Sequence, residues 1–171
     1  MTQTKIFVLN KSLAIFAGLL FVSLVAPLFH FQPITGPIVN AMLFLGAVLL
    51  PIEYALMLCM LPSLAALSFG ALPVVLAPMI PFIMFSNAIL VVVFKEGTRR
   101  KELSSFLTGV LACLSKFLFL FSSSYIVLGL ITQKPIAQKA AQMMAWPQLI
   151  TALAGYVIAF FVLKTLKKYD R

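Results

Sequence analysis

The chain has 171 residues, of which 63% are hydrophobic and 10% are charged. A soluble domain is typically about 45–50% apolar and about 25% charged, so the composition excludes a water-soluble fold and predicts an integral membrane protein. The net charge of +9 does not indicate a nucleic-acid partner, because the basic residues cluster at the ends of apolar stretches, as in loops that face anionic lipid. Without a long polar linker, residues 1–171 are predicted to form a single transmembrane domain.

Apolar stretches of membrane-spanning length follow one another along the chain. They cover residues 6–29, 38–70, 72–94, 106–131 and 146–163. A spanning helix needs about 20 residues, so the stretch 38–70 is too long to cross once and is predicted to form two short helices broken at Pro51. Pro78 and Pro81 are expected to kink the helix over 72–94 or to open its backbone hydrogen bonding.

The positions of lysine and arginine predict the topology. If 38–70 is a hairpin and the N-terminus is cytoplasmic, the basic segments 95–101 and 164–171 both face the cytoplasm, and only Lys134 and Lys139 lie outside. The sequence therefore predicts an all-α integral membrane bundle of six transmembrane helices with both termini cytoplasmic. The external connections would be residues 30–36, 69–73 and 132–147.

Lys116 lies deep inside the stretch 106–131, where an ammonium costs on the order of 2.5–3.5 kcal/mol by insertion scales. On a helical wheel it shares a face with small and polar residues, and this face should turn toward the bundle. The face comprises Gly109, Ala112, Cys113, Leu120 and Ser123. Two interpretations remain open: the lysine contacts a ligand, or it is satisfied by helix carbonyls or by snorkelling along its own stem.

Other polar residues are candidates for a substrate site around Lys116. They are His30, Asn40, Ser123, Gln148 and Thr151 in the predicted outer half, with Asn87 lying deeper. Asn40, Asn87 and Gln148 could equally serve as hydrogen-bonding links between helices.

The carboxylates are placed where they cannot pair with Lys116. Glu53, Glu96, Glu102 and Asp170 all lie at predicted cytoplasmic ends. An anionic or carboxylate-bearing substrate is therefore the expected counter-charge. The sequence contains no nucleophile–base set, metal-ligand cluster or phosphate-binding loop, so we expect neither an enzyme nor a bound metal or cofactor.

Four local features, taken together, resemble a known family. The first stretch has a small-x-x-x-small patch formed by Ala14 and Gly18, where another helix can approach closely. The others are "QPITGPIVNAMLF" (32–44), "PMIPFIMFSNAILVVVF" (78–94) and "WPQLITALAGYVIAF" (146–160). With six short helices and both ends cytoplasmic, the chain resembles the substrate-binding S components of energy-coupling factor (ECF) transporters.

The resemblance implies a function and partners. Such a protein sits in the cell membrane, binds a vitamin or related micronutrient near its outer face, and docks on a membrane coupling subunit driven by two cytoplasmic ATPases. The family's docking patch is alanine-x-x-x-alanine, which Ala14 matches and Gly18 departs from. The nickel and cobalt branch has a histidine near the N-terminus, where this chain has Thr2 and Gln3. The alternative hypothesis is a small membrane scaffold or assembly subunit without a ligand of its own.

Overall fold

A computed structural model describes residues 3–70, 74–100, 104–128, 138 and 141–169 of the chain. Within these residues there are six long α-helices and no β-strand. The helices are α1 (Gln3–Val25), α2 (Gln32–Leu49), α3 (Ile52–Ser68), α4 (Ile80–Arg99), α5 (Ser105–Leu128) and α6 (Trp146–Tyr169). The prediction of an all-α fold is confirmed for this part of the chain.

Five segments are long and apolar enough to cross a membrane. They are Asn10–Phe29, Gln32–Leu49, Leu76–Arg99, Ser105–Val127 and Ala141–Leu166. The remaining helix, α3, is apolar but has only 17 residues. At 1.5 Å per residue it is about 25 Å long, somewhat less than the hydrocarbon core of about 30 Å. The chain is thus a multi-pass membrane protein.

The predicted break at Pro51 is confirmed. Helix α2 ends at Leu49 and α3 begins at Ile52, with extended backbone at Leu50 and Pro51 between them. The ammonium of Lys95 in α4 donates hydrogen bonds to the carbonyl oxygens of Ala47 and Leu50, each at 2.8 Å. These bonds satisfy carbonyls that the end of α2 leaves without a helical partner, and they tie the α2–α3 corner to α4.

Pro78 and Pro81, which are expected to kink the fourth helix or to open its backbone hydrogen bonding, lie at a change of helix type. Residues Val74–Met79, which include Pro78, form a 3₁₀ helix, and α4 begins only at Ile80. Pro81 therefore lies in the first turn of α4, where its missing N–H would have no helical acceptor in any case.

The first predicted connection, residues 30–36, is shorter than expected. Helix α2 begins at Gln32, so only His30 and Phe31 separate it from the 3₁₀ helix Ala26–Phe29 that follows α1. Lys134 and Lys139, in the predicted connection 132–147, lie outside the described residues.

Helix α2 packs most extensively against α6, and α4 against α5. Two glycines make the α2–α6 contact close. A Cβ atom added to Gly36 would lie 2.7 Å from Cβ of Thr151, and one added to Gly155 would lie 2.6 Å from Cβ of Asn40. Small residues permit this close approach of helix backbones within a membrane.

The half of the bundle near the ends of α2 and α4 is filled by aromatic rings. Phe44, Phe94 and Tyr156 pack edge to face, with ring centroids 4.7 to 5.8 Å apart. The hydroxyl of Tyr156 donates to the carbonyl oxygen of Ser105 at 2.8 Å. All three rings are buried, and the cluster joins α2, α4 and α6.

The predicted orientation of α5 is confirmed. The face that contains Lys116 is buried, including Ala112, Cys113 and Leu120 with no exposed surface. Leu118 on the opposite side is 58% exposed, as expected for a side chain that faces lipid.

Candidate functional site

A cavity of about 380 Å³ opens at one end of the bundle. It lies where α1 and α3 end and where α2, α4 and α6 begin, because its lining comes from those parts of the helices. Small-molecule sites typically have volumes of about 300–1,000 Å³, so the cavity is large enough for a small organic ligand.

Lys116 lines this cavity although the residue is only 3% exposed. Its ammonium donates one hydrogen bond to Oδ1 of Asn40 at 2.6 Å and another to Oδ1 of Asn87 at 2.8 Å. We call Lys116, Asn40 and Asn87 the polar triad. The polar triad joins α5 to α2 and α4. The ammonium thus bonds to side chains of other helices, and not to helix carbonyls or, by snorkelling, to the membrane surface.

The two asparagines are themselves held in place by backbone groups. The Nδ2 atom of Asn40 donates to the carbonyl oxygen of Gly36 at 2.9 Å, and that of Asn87 donates to the carbonyl oxygen of Cys59 at 3.3 Å. These bonds orient both side-chain oxygens toward the ammonium. Asn87 also brings α3 into the network, next to the turn that Pro62 interrupts because proline has no N–H.

The triad lies well below the mouth of the cavity. Asn40 is eight residues beyond the start of α2 at Gln32, which corresponds to a depth of about 12 Å. Asn87 is seven residues beyond the start of α4 at Ile80, or about 10 Å. His30 and Gln148 lie at the mouth, where α2 and α6 begin. The cavity is therefore a deep pocket with the lysine at its floor.

The backbone at His30 is unusual. Its φ is +50°, and its N–H donates to the carbonyl oxygen of Pro27 at 3.1 Å, closing the 3₁₀ helix. Non-glycine residues rarely adopt this left-handed conformation, although histidine does so more often than most. The sharp turn places His30 at the mouth of the cavity.

Five of the seven substrate-binding residues predicted from the sequence line the cavity: His30, Asn40, Asn87, Lys116 and Gln148. Ser123 and Thr151 are buried outside the lining. The hydroxyl of Ser123 donates to the carbonyl oxygen of Phe119, one turn earlier in the same helix. Thr151 packs against Gly36 and donates to the carbonyl oxygen of Gln148.

Several residues of the cavity lining were not predicted from the sequence. Pro62 and Ser63 of α3, together with Met143 and Met144 before α6, contribute to the wall. The adjacent Pro62 and Ser63 in an otherwise apolar helix are a signal that could have identified the first pair. The methionines show no such signal, because methionine is common on buried and lipid-facing surfaces alike.

The described part of the cavity lining contains one ammonium and no carboxylate. Two acids belong to helices that form its walls. Glu53 lies in the first turn of α3 and Glu96 near the end of α4, in both cases at the end of the helix away from the cavity. Across the described ranges, no three His, Cys, Asp or Glu side chains lie close enough to share a metal ion. The cavity is thus electrostatically positive at its floor.

The patch on α1 predicted for docking is accessible. Ala14, Ala17 and Gly18 are all exposed, and nothing lies within 4 Å of a Cβ atom added to Gly18. Phe21, one turn further along the same face, is 68% exposed. This face of α1 therefore has no partner within the described bundle.

No known protein family, curated protein or solved structure matches this chain.

Proposed function

We propose that this protein is the membrane-embedded substrate-capture subunit of an ECF-type, ATP-driven importer, and that it binds a vitamin or related small micronutrient. The observation that supports this most directly is the deep cavity with Lys116, Asn40 and Asn87 at its floor. A buried, orientated ammonium at the base of an open pocket is the arrangement expected when a solute completes the site.

The proposed topology puts the mouth of this cavity outside the cell. All six helices span, and α3 does so with slight local thinning of the bilayer, which costs fractions of a kcal/mol per Å of mismatch. The basic residues Lys95, Arg99 and Arg100 lie at the opposite end of the bundle from the cavity. The positive-inside tendency then makes that end cytoplasmic in the plasma or inner membrane.

The exposed face of α1 is the proposed contact with a membrane coupling subunit. Ala14 and Gly18 leave the helix backbone open to close approach by another helix. Cytoplasmic ATPase subunits would act through that coupling subunit, since the sequence has no nucleotide-binding motif of its own.

One observation favours the alternative, a scaffold without a ligand. The hydrogen bonds of the polar triad join α2, α3, α4 and α5, so they would hold the bundle together even if nothing ever bound. A scaffold does not require an open cavity beside these bonds, however, and the importer hypothesis accounts for both features.

Native mass spectrometry of the gently purified full chain tests the proposal. We expect a bound small molecule that is lost on denaturation, and co-purification of a membrane subunit with nucleotide-binding subunits from the native host. The bare chain alone, with neither small molecule nor ATPase partner, would support the scaffold instead.

A further inference from the structure

The floor of the cavity has a positive charge for which the described lining supplies no counter-charge. Lys116 is almost fully buried, and its two partners, Asn40 and Asn87, are neutral amides. Amide oxygens orient an ammonium but do not neutralise it. Since charge inside a membrane protein is costly, a solute of opposite charge would gain most by binding at this point.

Donors outnumber acceptors among the hydrogen-bonding groups left at the floor. An ammonium has three N–H groups, of which Lys116 uses two, on Asn40 and Asn87. Each asparagine amide has two N–H groups, and each uses one, on the carbonyl oxygens of Gly36 and Cys59. Within the described residues, three N–H groups from α2, α4 and α5 remain, while each amide oxygen already accepts one bond from the lysine and keeps one lone pair. The surplus of donors favours a ligand group that accepts hydrogen bonds.

The wall above the floor has a different chemistry. Its members are mainly apolar, namely Val39, Pro62, Ile83, Met143 and Met144, with the hydroxyl groups of Thr35 and Ser63 among them. His30 and Gln148 lie near the mouth, about 10–12 Å above the floor. An anionic head at the floor would thus continue into an apolar body along the wall.

On this basis we infer that the substrate is a carboxylate-type anion with an apolar body, and that it binds with its anionic group innermost, on the polar triad. This inference rests on the proposed function, because it assumes that the cavity captures a solute. It assigns Lys116 the role of charge partner, and it assigns Asn40 and Asn87 two roles: they position the ammonium and donate to the anion.

The test compares two probes that differ in charge and share the same apolar body, phenylbutyrate and phenylbutyramide. The full chain is held in lipid nanodiscs, and the affinity of each probe is measured calorimetrically at neutral pH and constant salt. We expect the acid to bind at least about tenfold more tightly than the amide, which corresponds to about 1.4 kcal/mol. Equal affinities, or tighter binding of the amide, would overturn the inference.

Asn87→Asp makes the test specific to the floor. The substitution keeps the size of the side chain and its acceptor for Lys116, but it supplies the counter-charge from within the protein. The preference for the acid should then disappear. Asn40→Asp gives the same result if Asn87→Asp does not fold, and Ser23→Ala is the matched control, because Ser23 is buried but bonds only within α1. A folded aspartate variant that retains the wild-type preference would contradict the proposal.

His30→Ala separates the floor from the mouth. It should leave the ratio of the two affinities within about threefold of the wild-type ratio, because the anion lies far below His30. Loss of the acid preference in His30→Ala, with its retention in Asn87→Asp, would place the anion at the mouth and refute the orientation.

The outcomes also distinguish this inference from the importer proposal. If the acid binds in a way that depends on Asn87 but the protein associates with no ATPase partner, the inference about the substrate holds and the importer proposal is wrong. If the purified complex contains such partners and a neutral or cationic molecule, the importer proposal holds and the inference about an anionic substrate is wrong.

Discussion

The ammonium of Lys116 lies 2.6 Å from the side-chain oxygen of Asn40, although the two residues are 76 positions apart in the chain. The contact joins the middle of α5 to α2 at the base of the cavity. Because the same lysine also bonds to Asn87 in α4, a single side chain sets the relative positions of three helices. Substitutions at this point therefore test whether the polar triad serves binding, the packing of the helices, or both.

Lys116→Met should reduce the affinity for the native substrate by roughly one to two decades, because a charge-assisted hydrogen bond contributes about 1.5–3 kcal/mol. The thermal stability of the empty protein should change little. Removing the buried charge is favourable, while Asn40 and Asn87 lose a donor that water in the cavity can replace. Ligand titration and thermal unfolding of the same samples measure both effects. Unchanged affinity with a clear loss of stability would show that Lys116 is only structural.

Gly155→Ala should destabilise the bundle by about 1–3 kcal/mol and weaken substrate binding at the same time. The added Cβ would lie 2.6 Å from Cβ of Asn40 and 2.8 Å from the carbonyl oxygen of Pro37. Since backbone cannot move aside as a flexible side chain can, α2 and α6 must separate and displace Asn40. Chemical denaturation in detergent measures the stability change.

Gly18→Ala is the matched control for this substitution. Nothing lies within 4 Å of an added Cβ there, so the stability should hold or rise by about 0.5–1 kcal/mol from the better helix propensity of alanine. If both alanine variants behave alike, the close α2–α6 contact does not limit stability.

Ala14→Leu and Gly18→Leu should each block docking on a coupling subunit while leaving the isolated chain folded. Both positions are exposed on α1, so a leucine there projects outward and prevents close helix approach. Co-purification of the partner subunits and substrate uptake are the measurements. Val157→Leu, at an exposed position on α6, should preserve both. Normal association of the two α1 variants would contradict the docking role.

A cysteine introduced at Thr98 should not react with an impermeant thiol reagent added outside sealed cells, because the end of α4 is proposed to be cytoplasmic. Thr98 is exposed in the bundle, and the native Cys59 and Cys113 are buried, so the background should be low. Phe69→Cys, at the opposite end of the bundle, should label readily. Strong external labelling at position 98 would overturn the proposed orientation.

Much of the architecture follows from local sequence. Composition and the spacing of apolar residues are enough to predict a helical membrane protein, the break at Pro51 and the buried face of α5, because each depends on neighbours within a few turns of one helix. The late start of α4 could not be read in the same way. Val74–Met79 is as apolar as the helix it precedes, so hydropathy does not distinguish its 3₁₀ geometry.

The candidate site was likewise predicted only in part from the sequence. The sequence alone was sufficient to mark Lys116, Asn40 and Asn87 as costly polar groups in a membrane, and hence as functional candidates. That these three meet, while Ser123 and Thr151 bond within their own helices, was decided only by the tertiary structure. The physical reason is that such contacts depend on the rotation and depth of each helix relative to its neighbours. Those quantities are set by packing between distant segments, such as the glycine contacts of α2 with α6.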